Sequence, residues 1–392
     1  MATATGITSK PEQKAPGAPG GEGRLLSLDL LRGATIGFMI LVNNAGDEAS
    51  AYWPLKHAEW NGWTPTDLVF PFFLFIVGVS MAFSMASRMK RGQSRAELVK
   101  HVLWRVLAIF AIGVLLNGFP IPNLATWRIY GVLQRIAICY VISALAALWL
   151  GKRSQWGIIF ACLAGYWVMM RYVPVPGFGV PTHNMPILDP DRNLVAWLDR
   201  KLLMGHLYEG TRDPEGVLSN IPAIATCLLG LRTGEWLRSE RTRQAKAIGM
   251  AFFGVLAIAA GEIVNLWLPI NKKLWTSSFV LLTAGVALLG LSLCYWLLDI
   301  KQWKRWAWPF LVLGANAIAA YVFAEIGAHL LYRLHTSLPG GASISWQQLI
   351  YQRFFLPLGT PANASLIYAL SYVVICWLAM WALYRRRIFL KI

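Results

Sequence analysis

The chain contains about ten apolar segments that are each long enough to cross a lipid bilayer. A transmembrane helix needs about 20 mostly apolar residues. Leu68–Met85 carries no charge, whereas the weakest segment holds Asn220 and Pro222. The ten segments lie at 27–46, 66–87, 99–117, 130–150, 155–173, 216–236, 246–267, 275–298, 307–331 and 365–384. They predict an all-α fold, a polytopic transmembrane helical bundle with about ten spans.

The composition supports a membrane environment. Only 14% of the residues are charged and 56% are hydrophobic, whereas soluble domains carry about 25% charged residues. The formal net charge of +17 would suit a nucleic-acid partner, but the basic residues cluster in short segments between apolar runs. We therefore predict the lipid bilayer as a partner and no nucleic acid. Residues 1–23 lack an apolar core and are expected to form a disordered cytoplasmic tail, followed by one membrane domain over 24–392.

The basic residues also predict the orientation of the chain. Cytoplasmic loops of membrane proteins are enriched in Lys and Arg. The basic loops alternate with loops that are poor in positive charge, which predicts an N-in/C-in topology and agrees with an even number of spans. The loop that carries His57 then faces outward, as does the long 174–215 loop. The basic segments are 88–95, 152–153, 238–246, 301–305 and 385–391.

A short polar segment, residues 53–67, separates the first two apolar runs. Its His57 can take a proton near neutral pH, and Asp67 can orient the imidazole. Asn43 or Asn44 is a candidate donor to a developing oxyanion. Trp60 can stack on a sugar or anchor the loop at the bilayer interface. These residues predict a chemical site, and the absence of Gly-x-Ser-x-Gly, His-Glu-x-x-His and Walker motifs leaves serine hydrolase, zinc protease and NTPase chemistry without support.

Ionisable residues inside predicted spans are costly and suggest function. Asp29 and Arg32 share a helix face, either as a structural ion pair or with Arg32 contacting a charged cytoplasmic ligand. Arg135, beside Gln134, either lines a cavity for an anionic group or pairs with a carboxylate. The five cysteines lie in apolar runs without metal-ligand spacing, so no metal is expected.

Several motifs follow one another along the chain: Ser27–Gly33, Val42–Asn43, Lys56–Pro71, Gly131–Arg135, Asp213–Gly216, Pro269–Lys272 and Leu274–Trp275. Together they resemble the heparan-alpha-glucosaminide N-acetyltransferase family. They run in the family's order from about residue 24 to 325, which makes the likeness specific. Compared with the lysosomal enzyme, the chain is expected to lack the extra N-terminal lumenal region and first span, and it therefore resembles a bacterial, NagX-like relative.

The resemblance implies a transmembrane acyltransferase domain over 24–392 that moves acetyl from cytoplasmic acetyl-CoA to an amino sugar on the far side of the membrane. It implies that His57 is the active-site histidine with Asn43 beside it, and Asp67 completes the catalytic set. A bacterial inner membrane is the expected location. The alternative function is an inner-membrane transporter of N-acetylglucosamine, and a homodimer is left open. The residues expected to bind substrate or CoA are Arg32, Arg135, Gln134, Asn271, Lys272 and Trp60.

Overall fold

The computed structural model describes residues 25–120, 122–337 and 343–390. The expected disordered tail, residues 1–23, lies outside them. Over the described residues the chain is mostly helical. The helices are α1 (Leu26–Asn43), α2 (Val69–Lys90), α3 (Arg95–Gly118), α4 (Val132–Trp149), α5 (Lys152–Tyr172), α6 (Leu194–Leu202), α7 (Asn220–Leu237), α8 (Arg243–Asn265), α9 (Ser277–Tyr295), α10 (Trp308–Ala315), α11 (Ala317–Arg333), α12 (Trp346–Ile350) and α13 (Pro361–Arg385).

The described residues include seven helices that are long and apolar enough to cross a membrane, or eight if one bent pair is a single span. The seven are α1, α2, α3, α4, α8, α9 and α13. The bent pair is α10 and α11, which meet at an angle of 70°. The chain is thus a multi-pass membrane protein with a helical fold, while the count of ten spans and the N-in/C-in topology stay predictions.

The other two expected spans fall on α5 and α7, which are not among the seven. Helix α5 begins and ends with polar residues, which shortens its apolar part. Helix α7 lies inside the bundle against α2, α4, α5 and α9, and most of its residues are buried. A helix that is covered by protein needs less hydrophobicity than one that faces lipid, because its polar groups meet other side chains.

Close packing of α7 against α2 depends on glycines. A Cβ at Gly78 would lie 2.0 Å from the carbonyl oxygen of Cys227, and one at Gly230 would lie 2.1 Å from that of Phe75. Small residues allow helix backbones to approach closely in membranes, where van der Waals contact drives association. This pair of helices forms the centre of the largest apolar core, together with α3, α4 and α9.

In the described part of the chain, a short two-stranded sheet departs from an all-α fold. Strands β1 (His335–Ser337) and β2 (Ser343–Ser345) pair in antiparallel register, with Thr336 opposite Ile344. They lie in the loop between α11 and α12, where the backbone groups need partners once the helix has ended. The all-α prediction therefore holds for the bundle and misses this short sheet.

Three loops meet at one end of the bundle, which we call the His57 end. They are the segments between α1 and α2, between α5 and α7, and between α8 and α9. The backbone N–H of Gly62 donates to the carbonyl of Ile270 (2.8 Å), and the indole N–H of Trp60 donates to the carbonyl of Leu188 (2.8 Å). These bonds join parts of the chain that are more than 100 residues apart and place the polar segment 53–67 against the other two loops.

Candidate active site

Asp67 is held rigidly at the start of α2. It lies in a short 3₁₀ turn, Pro65–Leu68, which Thr64 precedes in a capping-box arrangement. One carboxylate oxygen, Oδ2, accepts from the backbone N–H groups of Thr64 and Ala58, both at 3.0 Å. The sequence Thr-Pro-Thr-Asp favours this turn because a side-chain oxygen at each end can satisfy the free backbone donors. The second oxygen, Oδ1, is left to face the histidine.

His57 and Asp67 form the pair that the sequence predicts. Nδ1 of His57 lies 2.7 Å from Oδ1 of Asp67, whose side chain is only 1% exposed, whereas the His57 side chain is 41% exposed. An ionised carboxylate can only accept, so Nδ1 carries the proton. The Nε2 lone pair is then available to a reactant at the exposed edge of the ring. This arrangement suits a general base or a nucleophile.

Lys272 reaches the same pair from the loop between α8 and α9. Its Nζ lies 3.0 Å from Nδ1 and 3.2 Å from Nε2 of His57 and 3.6 Å from Oδ1 of Asp67. Burial lowers the pKa of Lys272, while the negative charges of Asp67 and Glu215 act in the opposite direction. The sequence suggests Lys272 as a binding residue, and the structure brings it into direct contact with the histidine.

Asn271 ties the loops together. Its Nδ2 donates to the carbonyl of Trp60 (2.9 Å) and contacts Oδ1 of Asn61 (3.2 Å), while its Oδ1 accepts from the N–H of Leu274 (2.9 Å). The side chain is fully buried. Because its amide groups are engaged with the loops, Asn271 organises the site, and its expected contact with a substrate stays a prediction.

Trp60 lies at the boundary between the loops. Its indole N–H donates to the carbonyl oxygen of Leu188, and the guanidinium of Arg212 lies 5.1 Å from the ring centroid. Nζ of Lys273 lies 5.9 Å from the same ring. Cations thus already contact the ring on which the sequence suggests that a sugar stacks, and the stacking role stays a prediction.

A second cluster of charges lies at the turn Asp213–Ser219. Arg128 donates from Nε and Nη2 to both carboxylate oxygens of Asp213 (2.9 and 2.6 Å) and also contacts Glu215. Burial would raise the pKa of Glu215, but the positive charges of Arg128, Arg135 and Lys272 lower it. Glu215 therefore stays ionised and links this cluster electrostatically to the His57 site.

Arg135 and Gln134 are adjacent on α4 and almost completely buried, at 0% and 1% exposure. The Arg135 guanidinium contacts the hydroxyl of Ser219 and lies 4.8 Å from the ring centroid of Trp275. Within the part of the chain that the structure describes, Nε and Nη1 of Arg135 and both polar atoms of Gln134 have no hydrogen-bond partner. Unpaired buried polar groups are costly, so these groups are suited to a ligand.

Arg32 and Asn43 lie elsewhere on α1. Arg32 pairs with Asp29 (3.1 Å) and donates to the hydroxyl of Ser80 (2.6 Å), so the ion pair predicted from their spacing is formed. Asn43 is the exposed last residue of α1. The hydrogen bonds described for His57 do not include it, and its role beside the histidine stays a prediction.

Arg32 and Arg135 also lie at different depths. Arg135 packs against Phe70 and Arg32 bonds Ser80, both on α2. Ten helical residues correspond to about 15 Å. The two arginines thus do not form one cluster, although both were expected to contact the same ligand.

Sequence reasoning missed Thr64, Ala58 and Glu215 as parts of the site. Thr64 and Ala58 act through backbone N–H groups, which leave no residue-type signal. Glu215 lies in the motif Asp213–Gly216, which stood out only as part of the family resemblance. A carboxylate between a proline and a glycine is a turn signal, and the proximity of Glu215 to Lys272 depends on the tertiary fold.

The fold and site define a multi-pass membrane protein with a histidine–aspartate pair at one end of a helical bundle. Residues 24–270 match the family described as heparan-alpha-glucosaminide N-acetyltransferase, catalytic. The chain belongs to this family.

Two relatives carry the name heparan-alpha-glucosaminide N-acetyltransferase, one from Homo sapiens and one from Mus musculus. Each is 32% identical to the chain, over 363 and 362 residues respectively, and each alignment covers 77% of the chain and 53% of the relative. The chain thus spans about half the length of the curated relatives it matches. The described residues show no group of three or more His, Cys, Asp or Glu side chains able to hold a metal ion.

Proposed function

We propose that the protein is a transmembrane acetyltransferase that moves acetyl from cytoplasmic acetyl-CoA to an amino sugar at the periplasmic face of a bacterial inner membrane. The observation that carries this proposal is the His57–Asp67 pair, in which Nδ1 of His57 is bonded to Oδ1 of Asp67 at 2.7 Å, so that Nε2 carries the lone pair. Family membership supports the reaction class. Residues 24–392 are proposed to form the domain that performs the acetyl transfer.

Two routes are open at His57. In direct transfer, Nε2 takes a proton from the amine of the acceptor, which can then attack the thioester. In the covalent route, Nε2 itself attacks the thioester and the amine later removes the acetyl group. Both need the lone pair on Nε2 and the ring proton on Nδ1, and the Asp67 carboxylate, which accepts from Nδ1, fixes this tautomer. Asn43, at the end of α1, is the proposed further donor at this end of the bundle.

The donor is proposed to approach through the bundle to the His57 end. The unpaired N–H groups of Arg135 suit phosphate or carbonyl oxygens, and the amide of Gln134 can both donate and accept. Arg32 bonds Ser80, which lies about 15 Å along α2 from Phe70, the residue against which Arg135 packs. We propose that Arg32, near the end predicted to be cytoplasmic, makes a second contact to the same long molecule. CoA supplies the activated acetyl group, and the protein supplies the binding groups and the base.

The acceptor is proposed to bind at the outer loops beside Trp60. Asn271 fixes the loop that carries Lys272 against the loop that carries Trp60. The Trp60 ring is the proposed platform for the sugar. The competing function, transport of an amino sugar, has less support because the family and both relatives are N-acetyltransferases.

The test is an acetylation assay on purified protein with acetyl-CoA and glucosamine, in which N-acetylglucosamine is measured directly. Wild type is expected to form product, and His57→Ala is expected to lose at least about 100-fold in turnover, because general base catalysis is worth about 10²–10⁴-fold. His57→Ala should still bind acetyl-CoA. A variant with near wild-type turnover would contradict the catalytic assignment.

A further inference from the structure

The ammonium group of Lys272 lies against the face of the His57 ring. Its Nζ is 3.0 Å from Nδ1 and 3.2 Å from Nε2. Cε1 is bonded to both nitrogens. An atom in the ring plane that was 3.0 Å from Nδ1 and 3.2 Å from Nε2 would therefore overlap Cε1. Nζ must therefore lie to one side of the plane, above the edge formed by the three atoms. Neither contact is an in-plane hydrogen bond to a nitrogen lone pair.

This position leaves the reactive edge of His57 open. Nδ1 is bonded to Asp67 in the ring plane, and the lone pair of Nε2 also points along that plane. A carbon atom that bonds to Nε2 would lie in the plane as well. An oxygen on that carbon, when turned toward the Lys272 side of the ring, would face the ammonium group at close range.

We propose that Lys272 is a catalytic residue that stabilises the oxyanion formed when Nε2 of His57 attacks an acetyl carbonyl. In this step the Nε2 lone pair forms the C–N bond, and the carbonyl π electrons move to the oxygen. The adduct then expels the thiolate as the C–S bond breaks. The acceptor amine attacks next, a second oxyanion forms, and the C–N bond to His57 breaks. The amine gives up its proton to the departed thiolate or to water. The use of an acetyl thioester as donor rests on the proposed function.

The surroundings of Lys272 favour this role over a simple counter-ion. The Asp67 carboxylate already accepts hydrogen bonds from His57 and from two backbone N–H groups. Nζ of Lys272 lies 3.6 Å from its Oδ1. Lys272 is placed by its own loop, because its carbonyl accepts from the N–H of Trp275 at 3.0 Å. A fixed positive charge that needs no rearrangement during the reaction is the arrangement that stabilises an oxyanion most.

Lys273 supplies a matched control. It is the next residue and also a lysine, but its Nζ bonds Glu209 at 2.9 Å. Lys272→Met and Lys273→Met remove the same charge from adjacent positions. Loss of one oxyanion donor costs about 10²–10³-fold in kcat. We expect that loss for Lys272→Met with little change in KM, and most of the turnover to remain for Lys273→Met.

The assay uses p-nitrophenyl acetate, which acetylates imidazoles directly and requires neither CoA nor a sugar. The His57-dependent rate is the difference between wild type and His57→Ala. Lys272→Met should lower this rate by about 10²–10³-fold. Lys272→Cys should be equally impaired, and alkylation with 2-bromoethylamine, which restores an ammonium at nearly the same place, should recover activity. Wild type treated in the same way controls for the five native cysteines.

The outcomes separate the two proposals. If wild type reacts with the ester through His57 but never acetylates glucosamine, the proposed function fails and the role of Lys272 stands. The role of Lys272 is overturned if Lys272→Met keeps its His57-dependent rate within threefold of wild type. It is also overturned if alkylated Lys272→Cys stays inactive while its thermal unfolding matches wild type, or if wild type shows no His57-dependent reaction.

Discussion

The substitution Asp67→Asn tests how the carboxylate controls the proton on His57. Oδ2 of Asp67 accepts from the N–H groups of Ala58 and Thr64, both at 3.0 Å. In the variant the amide oxygen must take that place, because an NH₂ group facing two N–H donors would leave them unpaired at about 1–3 kcal/mol each. The amide nitrogen then faces Nδ1 of His57 and donates to it, which moves the histidine proton to Nε2.

A proton on Nε2 removes the lone pair that both proposed routes require. In a Ser-His-Asp triad the same change of tautomer costs about 10⁴-fold in kcat. We expect a loss of about 100- to 10,000-fold here, which corresponds to about 3–5 kcal/mol of transition-state stabilisation. The measurement is kcat for N-acetylglucosamine formation at saturating acetyl-CoA, with acetyl-CoA affinity determined separately.

Asp47→Asn is the matched control, because Asp47 lies in the same loop and bonds Ser50 and Ala49 instead of the histidine. It should keep most of its turnover. If Asp67→Asn retains kcat within threefold of wild type while both variants unfold at the wild-type temperature, the tautomer argument is wrong.

Three further predictions concern binding, topology and stability. Arg135→Ala should weaken acetyl-CoA binding by about 10- to 100-fold, the value of a charge-assisted hydrogen bond, and calorimetry that shows unchanged affinity would remove Arg135 from the donor site. Single cysteines introduced in 88–98 and in 53–63 should react with an impermeant label from opposite sides of the membrane, and reaction of both from outside would refute the N-in/C-in topology. Burial raises the pKa of Asp199 from its ordinary value of 3.8 to about 6. The protonated form is thus favoured in the folded state, and stability should fall by about 3 kcal/mol as the pH rises from below 4 through 6. In thermal unfolding between pH 4 and 8, Asp199→Asn should lose most of this pH dependence of stability. If the pH dependence is unchanged in the variant, other titratable groups cause it.

The sequence contains the local part of the site. His57 and Asp67 are ten residues apart, and the turn chemistry of Thr64 to Asp67 fixes the carboxylate next to the loop. Such short-range pairing follows from residue types and spacing. The contact with Lys272 is 215 residues away in sequence, and no pattern along one chain indicates which loop closes over which ring.

The helical bundle was predictable from hydrophobic runs, but its irregularities were not. The hydropathy of segment 307–331 predicts one continuous span, but the structure has two helices that are separated at Asn316. The Asn316 side chain donates to the carbonyl of Ile388 (3.0 Å) and accepts from the N–H of Leu390 (2.9 Å). A tertiary contact with the C-terminal segment thus accompanies the break, and hydropathy carries no information on it.

The most direct test of the account uses protein reconstituted in vesicles, with acetyl-CoA on the side of the basic loops and glucosamine on the side of His57. Only transfer across the membrane can then form N-acetylglucosamine. We expect the product to appear in the glucosamine compartment with wild type, and its rate to fall at least about 100-fold with His57→Ala. Unmodified glucosamine crossing the membrane without any acetylation, or equal product with His57→Ala, would contradict the central claim.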